Sequence, residues 1–159
     1  MFTVHGLDPK ALDSARRTGL DVSGNPVQPA IAEGGEPLRC CLRDAVAGEA
    51  LILFGYEPVL PGGTPYREIG AVFAHAEAHA EACAEACAGA GDGYPAQWRG
   101  RKQVLRAYDE RGWIHPATRV HDGTDPEGVV EAVLAEPGVV RADSRNVAYG
   151  CYMFSVTRA

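Results

Sequence analysis

The sequence predicts an α+β fold: an antiparallel or mixed sheet with two or three helices in a single domain spanning residues 1–159. Three observations carry that reading. Strand-sized apolar runs outnumber helical stripes, strands recur in hairpin order, and no linker divides the chain. The length of 159 residues suits one domain, and 46% hydrophobic residues suffice for a core without disulfides or a structural metal.

Phe2 to Gly6 alternates weakly and reads as a first strand. Asp8-Pro9 follows as N-cap and first helical residue, Leu12 and Ala15 give one apolar face, and Gly19 ends the helix. Residues 22–38 read as loop, with a short strand over Val27 to Ala32. Leu38 to Leu42 reads as another strand, and Ala50 to Glu57 is the clearest one, closed by Pro58 and the Pro61-Gly62-Gly63-Thr64-Pro65 turn. Ile69 to Ala74 is a second apolar run. The Ala/Glu-rich stretch after it predicts a helix over about 76–88, stopped by Gly89, Gly91 and Gly93. Gln103 to Tyr108 and Trp113 to Val120 flank Asp109-Glu110-Arg111-Gly112 and predict a hairpin. Asp125-Pro126 starts a helix with Val129, Val130, Val133 and Leu134 on one stripe, and Pro137-Gly138 ends it. Val139 to Ala142 and Cys151 to Val156 read as the last two strands.

Charge and composition exclude some partners. The formal net charge is −6, which argues against nucleic acid or an anionic membrane surface, since both want a basic footprint. No stretch approaches a transmembrane span, and Met1-Phe2-Thr3-Val4-His5 lacks the basic start of a signal peptide. The expectation is a cytoplasmic protein with reduced thiols. Five Cys is an odd number, so at least one is unpaired within the chain. Oligomeric state is not legible.

One tract suggests a specific chemistry. His75, His79, Cys83 and Cys87 recur every fourth residue within His-Ala-Glu-Ala-His-Ala-Glu-Ala-Cys-Ala-Glu-Ala-Cys. Imidazole and thiolate are ligands for Zn, Ni or Cu, and i, i+4 positions on a helix are neighbours. Four such residues drift around the helix and span about 18 Å along its axis, so one ion takes two from the tract and two from elsewhere. Cys40, Cys41, His115, His121 and Cys151 are the off-tract candidates. The competing reading is a solvated Ala/Glu repeat without a ligand. For Cys40 and Cys41 the competing reading is core, because Leu38 and Leu42 flank them. No phosphate loop, dinucleotide fingerprint or nucleophile elbow is present.

Several segments together resemble the bacterial family catalogued as domain of unknown function 1203. They are Arg39-Cys40-Cys41-Leu42-Arg43-Asp44-Ala45, Thr64-Pro65-Tyr66-Arg67-Glu68-Ile69-Gly70, Val72-Phe73-Ala74-His75-Ala76-Glu77, Leu105-Arg106-Ala107-Tyr108-Asp109 and Arg145-Asn146-Val147-Ala148-Tyr149-Gly150-Cys151-Tyr152. The resemblance implies no settled activity. It directs attention to Tyr66, Arg67, Glu68, His75, Arg106, Arg145, Asn146 and Cys151 as shared polar residues.

If these converge, Tyr66, Arg67, Glu68, Arg106, Arg145 and Asn146 would bind a small anionic molecule, since guanidinium forks suit carboxylate or phosphate. His75 would be the general acid or base and Cys151 a nucleophile activated by a cationic neighbour. Structural ion pairs and a buried Cys151 are the plainer alternative. Three function classes follow: an anion-binding and possibly catalytic small-molecule site, a transition-metal site on the tract, and a protein-association domain.

Overall fold

A computed structural model describes residues 1–78 and 90–159. Two sheets and two helices form the α+β fold. The larger sheet has the order β7-β1-β11-β10-β8-β9 and the smaller β2-β5-β6-β3-β4. In chain order the strands are β1 (Phe2–His5), β2 (Gln28–Ile31), β3 (Pro37–Leu38), β4 (Arg43–Asp44), β5 (Ala50–Tyr56), β6 (Gly70–His75), β7 (Ala90–Asp92), β8 (Gln103–Tyr108), β9 (Arg119–His121), β10 (Arg141–Asn146) and β11 (Tyr152–Arg158). Pairing is antiparallel throughout except β3 on β6, so the smaller sheet is mixed.

Both described helices begin as their sequence signals require. In α1 (Pro9–Thr18) the Asp8 side chain caps the first turn by accepting from the Lys10 N–H, and Gly19 closes it in the left-handed conformation. In α2 (Pro126–Ala135) Asp125 accepts from the Gly128 N–H. Val130, Val133 and Leu134 bury that helix on the larger sheet, against Leu105, Ala142, Phe154 and Val156. Trp98 stacks on Phe154 at 5.9 Å within the same core. A second core gathers Leu12 and Ala15 of α1 with Leu38, Leu51, Phe54, Val72 and Ala74 of the smaller sheet. No helix among the described residues is long and apolar enough to cross a membrane.

Strand alternation gives the larger sheet two unlike faces. Leu105, Ala107 and Ala142 point toward α2 and form its apolar core. The register aligns Arg145 with Val104, Asp143 with Arg106 and Arg141 with Tyr108 on the opposite face. That second face carries a buried charged row. Asp143 is fully buried and accepts from Arg141 Nε at 2.7 Å.

Four expectations need correction. Leu38 to Leu42 is not a strand: Pro37–Leu38 and Arg43–Asp44 are two short paired strands, and residues 39–42 turn between them. The Leu42 N–H donates to the Leu38 carbonyl at 2.9 Å, and Leu42 sits at φ 56°, a left-handed conformation that strand continuation would not permit. The hairpin after β8 returns only in part. Gly112 makes the tight turn, and Tyr108 bridges Ile114, but His115 to Thr118 turn away before β9 resumes the ladder. Pro116 has no N–H to give a ladder there. The strand expected at Val139 to Ala142 runs instead over Arg141–Asn146, so Arg145 and Asn146 lie on a strand and not in a loop. Burial of Asp143, Ser144 and Arg145 is compatible with that strand because each finds a polar partner. Finally, Ala90–Asp92 pairs with β1 where only a helix stop was read. The expected helix over 76–88 lies, beyond residue 78, outside the described residues.

Candidate functional site

The turn between β3 and β4 brings Cys40 and Cys41 against the end of β6. The Arg39 N–H donates to the Phe73 carbonyl at 3.0 Å, and the Leu7 N–H donates to the Arg39 carbonyl at 3.2 Å. Gly6 permits that second approach, since a Cβ there would lie 2.6 Å from the Arg39 oxygen. The strained Leu42 then turns the chain back, leaving both sulfurs on His75. Cys41 Sγ lies 3.1 Å from His75 Nδ1 and Cys40 Sγ 3.7 Å from it, with the two sulfurs 3.3 Å apart. All three residues are buried, and their ligand atoms lie within 4.8 Å of one another.

The second ring nitrogen is equally well placed. His75 Nε2 lies 3.1 Å from Glu49 Oε1, and Arg43 holds that carboxylate with both guanidinium nitrogens, at 2.6 and 3.1 Å. The Val46 N–H adds a bond of 2.7 Å. The Arg43 fork is the main cause that draws the Glu49 carboxyl down to about 2, so it is ionised and accepts the imidazole proton. With the ring proton on Nε2, toward that carboxylate, the Nδ1 lone pair faces the sulfurs; Arg43 Nη2 also lies 3.4 Å from Nε2. A carboxylate behind the distal nitrogen is the usual support of a metal-ligating histidine.

Oxidation state also matters here. Cys41 takes part in a disulfide, whereas Cys40 is a free thiol. Burial pushes the Cys40 thiol up, opposed by the His75 N–H at 3.4 Å and by the Arg16 charge. Arg16 itself donates twice to the His75 carbonyl, fixing the end of β6.

A second polar centre lies at the other end of β6. A cleft of about 390 Å³ is lined by Tyr56, Pro58, Glu68, Ile69, Gly70, Ala71, Arg145, Tyr149, Gly150, Cys151 and Tyr152. Glu68 spans two guanidinium groups: Oε1 accepts from Arg106 Nη1 at 2.9 Å, and Oε2 lies 2.8 Å from Arg145 Nη1. Arg145 also donates to the Gly150 carbonyl at 3.1 Å, and its buried Nε has no partner.

The shared polar residues named from the sequence therefore divide. Glu68, Arg145 and Cys151 line the cleft, and Arg106 joins them through its pair with Glu68. His75 joins Cys40 and Cys41 instead, at the opposite end of β6, roughly 16 Å away at strand rise. Arg67 turns outward and pairs with Glu57. Tyr66 sits edge-on to Trp113 at 5.7 Å. Asn146 uses its backbone N–H and carbonyl to close the β10–β11 connection. His79, Cys83 and Cys87 lie outside the described residues. Of the off-tract candidates, His115 and His121 each accept a backbone N–H in a local turn. Cys40 and Cys41 do sit in the apolar core, yet their sulfurs face an imidazole. Glu49 carries no sequence signal, and Arg43, though within a family-like segment, is given no role by it, because both roles depend on the turn at 39–42.

A family model described as "Protein of unknown function (DUF1203)" matches residues 35–158 of the chain. No curated protein and no solved structure matches it.

Proposed function

The chain belongs to the DUF1203 family, and we propose that its function is transition-metal binding through Cys40, Cys41 and His75. One observation carries the reading: two sulfurs and an imidazole nitrogen converge while a fixed carboxylate backs the other ring nitrogen. The spacing supports it. A tetrahedral Zn²⁺ with Zn–S near 2.3 Å and Zn–N near 2.0 Å holds its ligand atoms about 3.5 to 3.8 Å apart. The separations of 3.1 and 3.3 Å need to open slightly and that of 3.7 Å to close slightly, each by about half an ångström or less.

The donor set selects the metal class. Two thiolates and an imidazole favour Zn²⁺ or Cu⁺ over Mg²⁺ or Ca²⁺, which want oxygen. Two thiolates also neutralise a divalent ion in a buried site. Glu49 holds the imidazole in the ligating tautomer, and Arg43 holds Glu49. A tract residue, His79, Cys83 or Cys87, is the natural source of a fourth ligand. Metal and disulfide are alternatives at Cys41, so binding belongs to the reduced form. A phosphine reductant supplies the two electrons, and the thiols release their protons to solvent as the ion enters.

The test is zinc titration of the anaerobic, phosphine-reduced chain, read by native mass spectrometry. One Zn²⁺ per chain is expected, lost in Cys40→Ser and in His75→Asn and retained by the His79/Cys83 double substitution at lower affinity. Zinc retained by Cys40→Ser and lost in the double substitution would move the site to the tract and overturn the assignment. Failure of the reduced chain to take up stoichiometric Zn²⁺ or Cu⁺ would overturn metal binding altogether.

A further inference from the structure

We infer that the cleft at the start of β6 binds a small carboxylate with an apolar body, and that Glu68 occupies its arginine pair until the ligand displaces it. The inference is independent of the metal centre and shares no residue with it.

Charge bookkeeping around the cleft is the first support. Four guanidinium groups crowd this part of the molecule: Arg39, Arg106, Arg141 and Arg145. Two carboxylates face them, Asp143 and Glu68. Asp143 is committed to Arg141. Arg39 is buried and donates only to carbonyl oxygens, those of Tyr152 at 2.8 Å and Pro37 at 2.6 Å. No carboxylate pairs with it among the described residues. A buried excess of positive charge favours an anion in the adjoining cleft.

The resident carboxylate shows which anion geometry fits. Glu68 sets one oxygen on each guanidinium, at 2.9 and 2.8 Å, as a planar two-oxygen group does. Its anchoring differs from that of its partners. Arg145 is held on β10 with its side chain 8% exposed, whereas Glu68 is 48% exposed and lies between strands. Water reaches half of this carboxylate and weakens its hold on the pair, so an incoming carboxylate can take its place. The cleft also has room beyond the charged pair. Tyr56, Pro58, Ile69, Ala71 and Tyr152 form the wall, which suits an aromatic or aliphatic body.

Phenylacetate and inorganic phosphate are the probes, titrated by calorimetry into the whole chain. Phenylacetate is expected to bind weakly to wild type and at least tenfold more tightly to Glu68→Gln, which removes the competing charge. Arg106→Lys and Arg145→Lys keep the charge but lose the fork, and each should weaken phenylacetate at least tenfold. If Arg145→Lys does not fold, the less buried Arg106 decides. Cys151 gives a separate readout, since it is a free thiol on the cleft wall: phenylacetate should slow its alkylation by iodoacetamide, followed by peptide mass mapping. Glu68→Gln binding no tighter than wild type would make Glu68 a plain structural partner and overturn the inference. Phosphate binding as tightly as phenylacetate would overturn the carboxylate assignment.

Discussion

The two ends of β6 present opposite chemistry. At His75 the strand ends against two buried sulfurs, with Glu49 and Arg43 neutralising each other and Arg16 holding the His75 carbonyl. At Gly70 it begins beside an open cleft where Glu68 is held between Arg145 on the wall and Arg106 next to it. The first end offers soft, neutral-to-anionic donors and wants a cation. The second offers hard cationic donors and wants an anion. Their construction differs as well. The sulfur end is local, built from residues 39–49 and one strand terminus. The arginine end is assembled from residues 68, 106, 145 and 151, which only the sheet brings together.

That difference predicts where the molecule breaks. The largest effect belongs to Asp143, fully buried against Arg141 with Arg106 and Arg145 nearby. Asp143→Ala leaves uncompensated buried positive charge and should cost about 3 to 5 kcal/mol, measured by urea unfolding. If Asp143→Ala instead unfolds within 1 kcal/mol of wild type, the charged row does not brace the sheet and the contrast between the ends weakens.

Alkali should find the arginine end next. Burial raises the phenols of Tyr56, Tyr108 and Tyr152 around the cleft, and that of Tyr94 to about 12, in the core on the other face. The unfolded chain ionises its tyrosines near pH 10 while these folded ones keep their protons. Stability is therefore fully present below pH 10 and falls as pH rises beyond it. Tyr94 alone, raised from 10.0 to about 12, accounts for roughly 2 to 3 kcal/mol at about 1.36 kcal/mol per unit. Absorbance at 295 nm checks this: four of the six tyrosines should titrate together with unfolding and not before it. Gradual ionisation of all six in the folded chain would contradict their burial.

At the sulfur end the sharpening substitution is Glu49→Gln. The amide keeps the shape but loses the charge that fixes the His75 tautomer. Removal of such a support costs 10- to 100-fold in metal affinity, about 1.4 to 2.7 kcal/mol, with the stoichiometry retained. A competitive zinc chelator assay measures it. An unchanged affinity would mean that the carboxylate serves Arg43 and the turn and not the imidazole.

The local–nonlocal contrast also explains what was legible in the sequence. Cap signals at Asp8-Pro9 and Asp125-Pro126 located both described helices because capping is a short-range interaction. The β5 and β6 runs were legible because a buried strand is continuously apolar. The Arg39–Leu42 turn was not, since Leu42 is an unusual residue at positive φ and flanking leucines imitate a strand. A strand at 38–42 favours the core reading of Cys40 and Cys41 over the ligand one, and nothing in the sequence singles out Glu49. The β10 span was misplaced for a related reason: Arg-Ala-Asp-Ser-Arg-Asn has no apolar alternation, and its burial depends on partners from β8 and the 57–69 connection.

Arg67 is the smallest test of the contrast and the most discriminating between neighbours. It adjoins Glu68 in sequence and carries the same charge as Arg106 and Arg145, so charge alone would place it in the anion cleft. Its side chain is instead 61% exposed and pairs with Glu57. A pair of that kind, screened by solvent, contributes little. Arg67→Ala should therefore leave the urea midpoint unchanged and phenylacetate affinity within twofold of wild type. A tenfold loss of phenylacetate binding in Arg67→Ala would mean that the cleft gathers cations by proximity and not by the two-armed geometry of Arg106 and Arg145. The arginine end would then be a diffuse basic patch, and the distinction from the geometrically defined sulfur end would sharpen on that account.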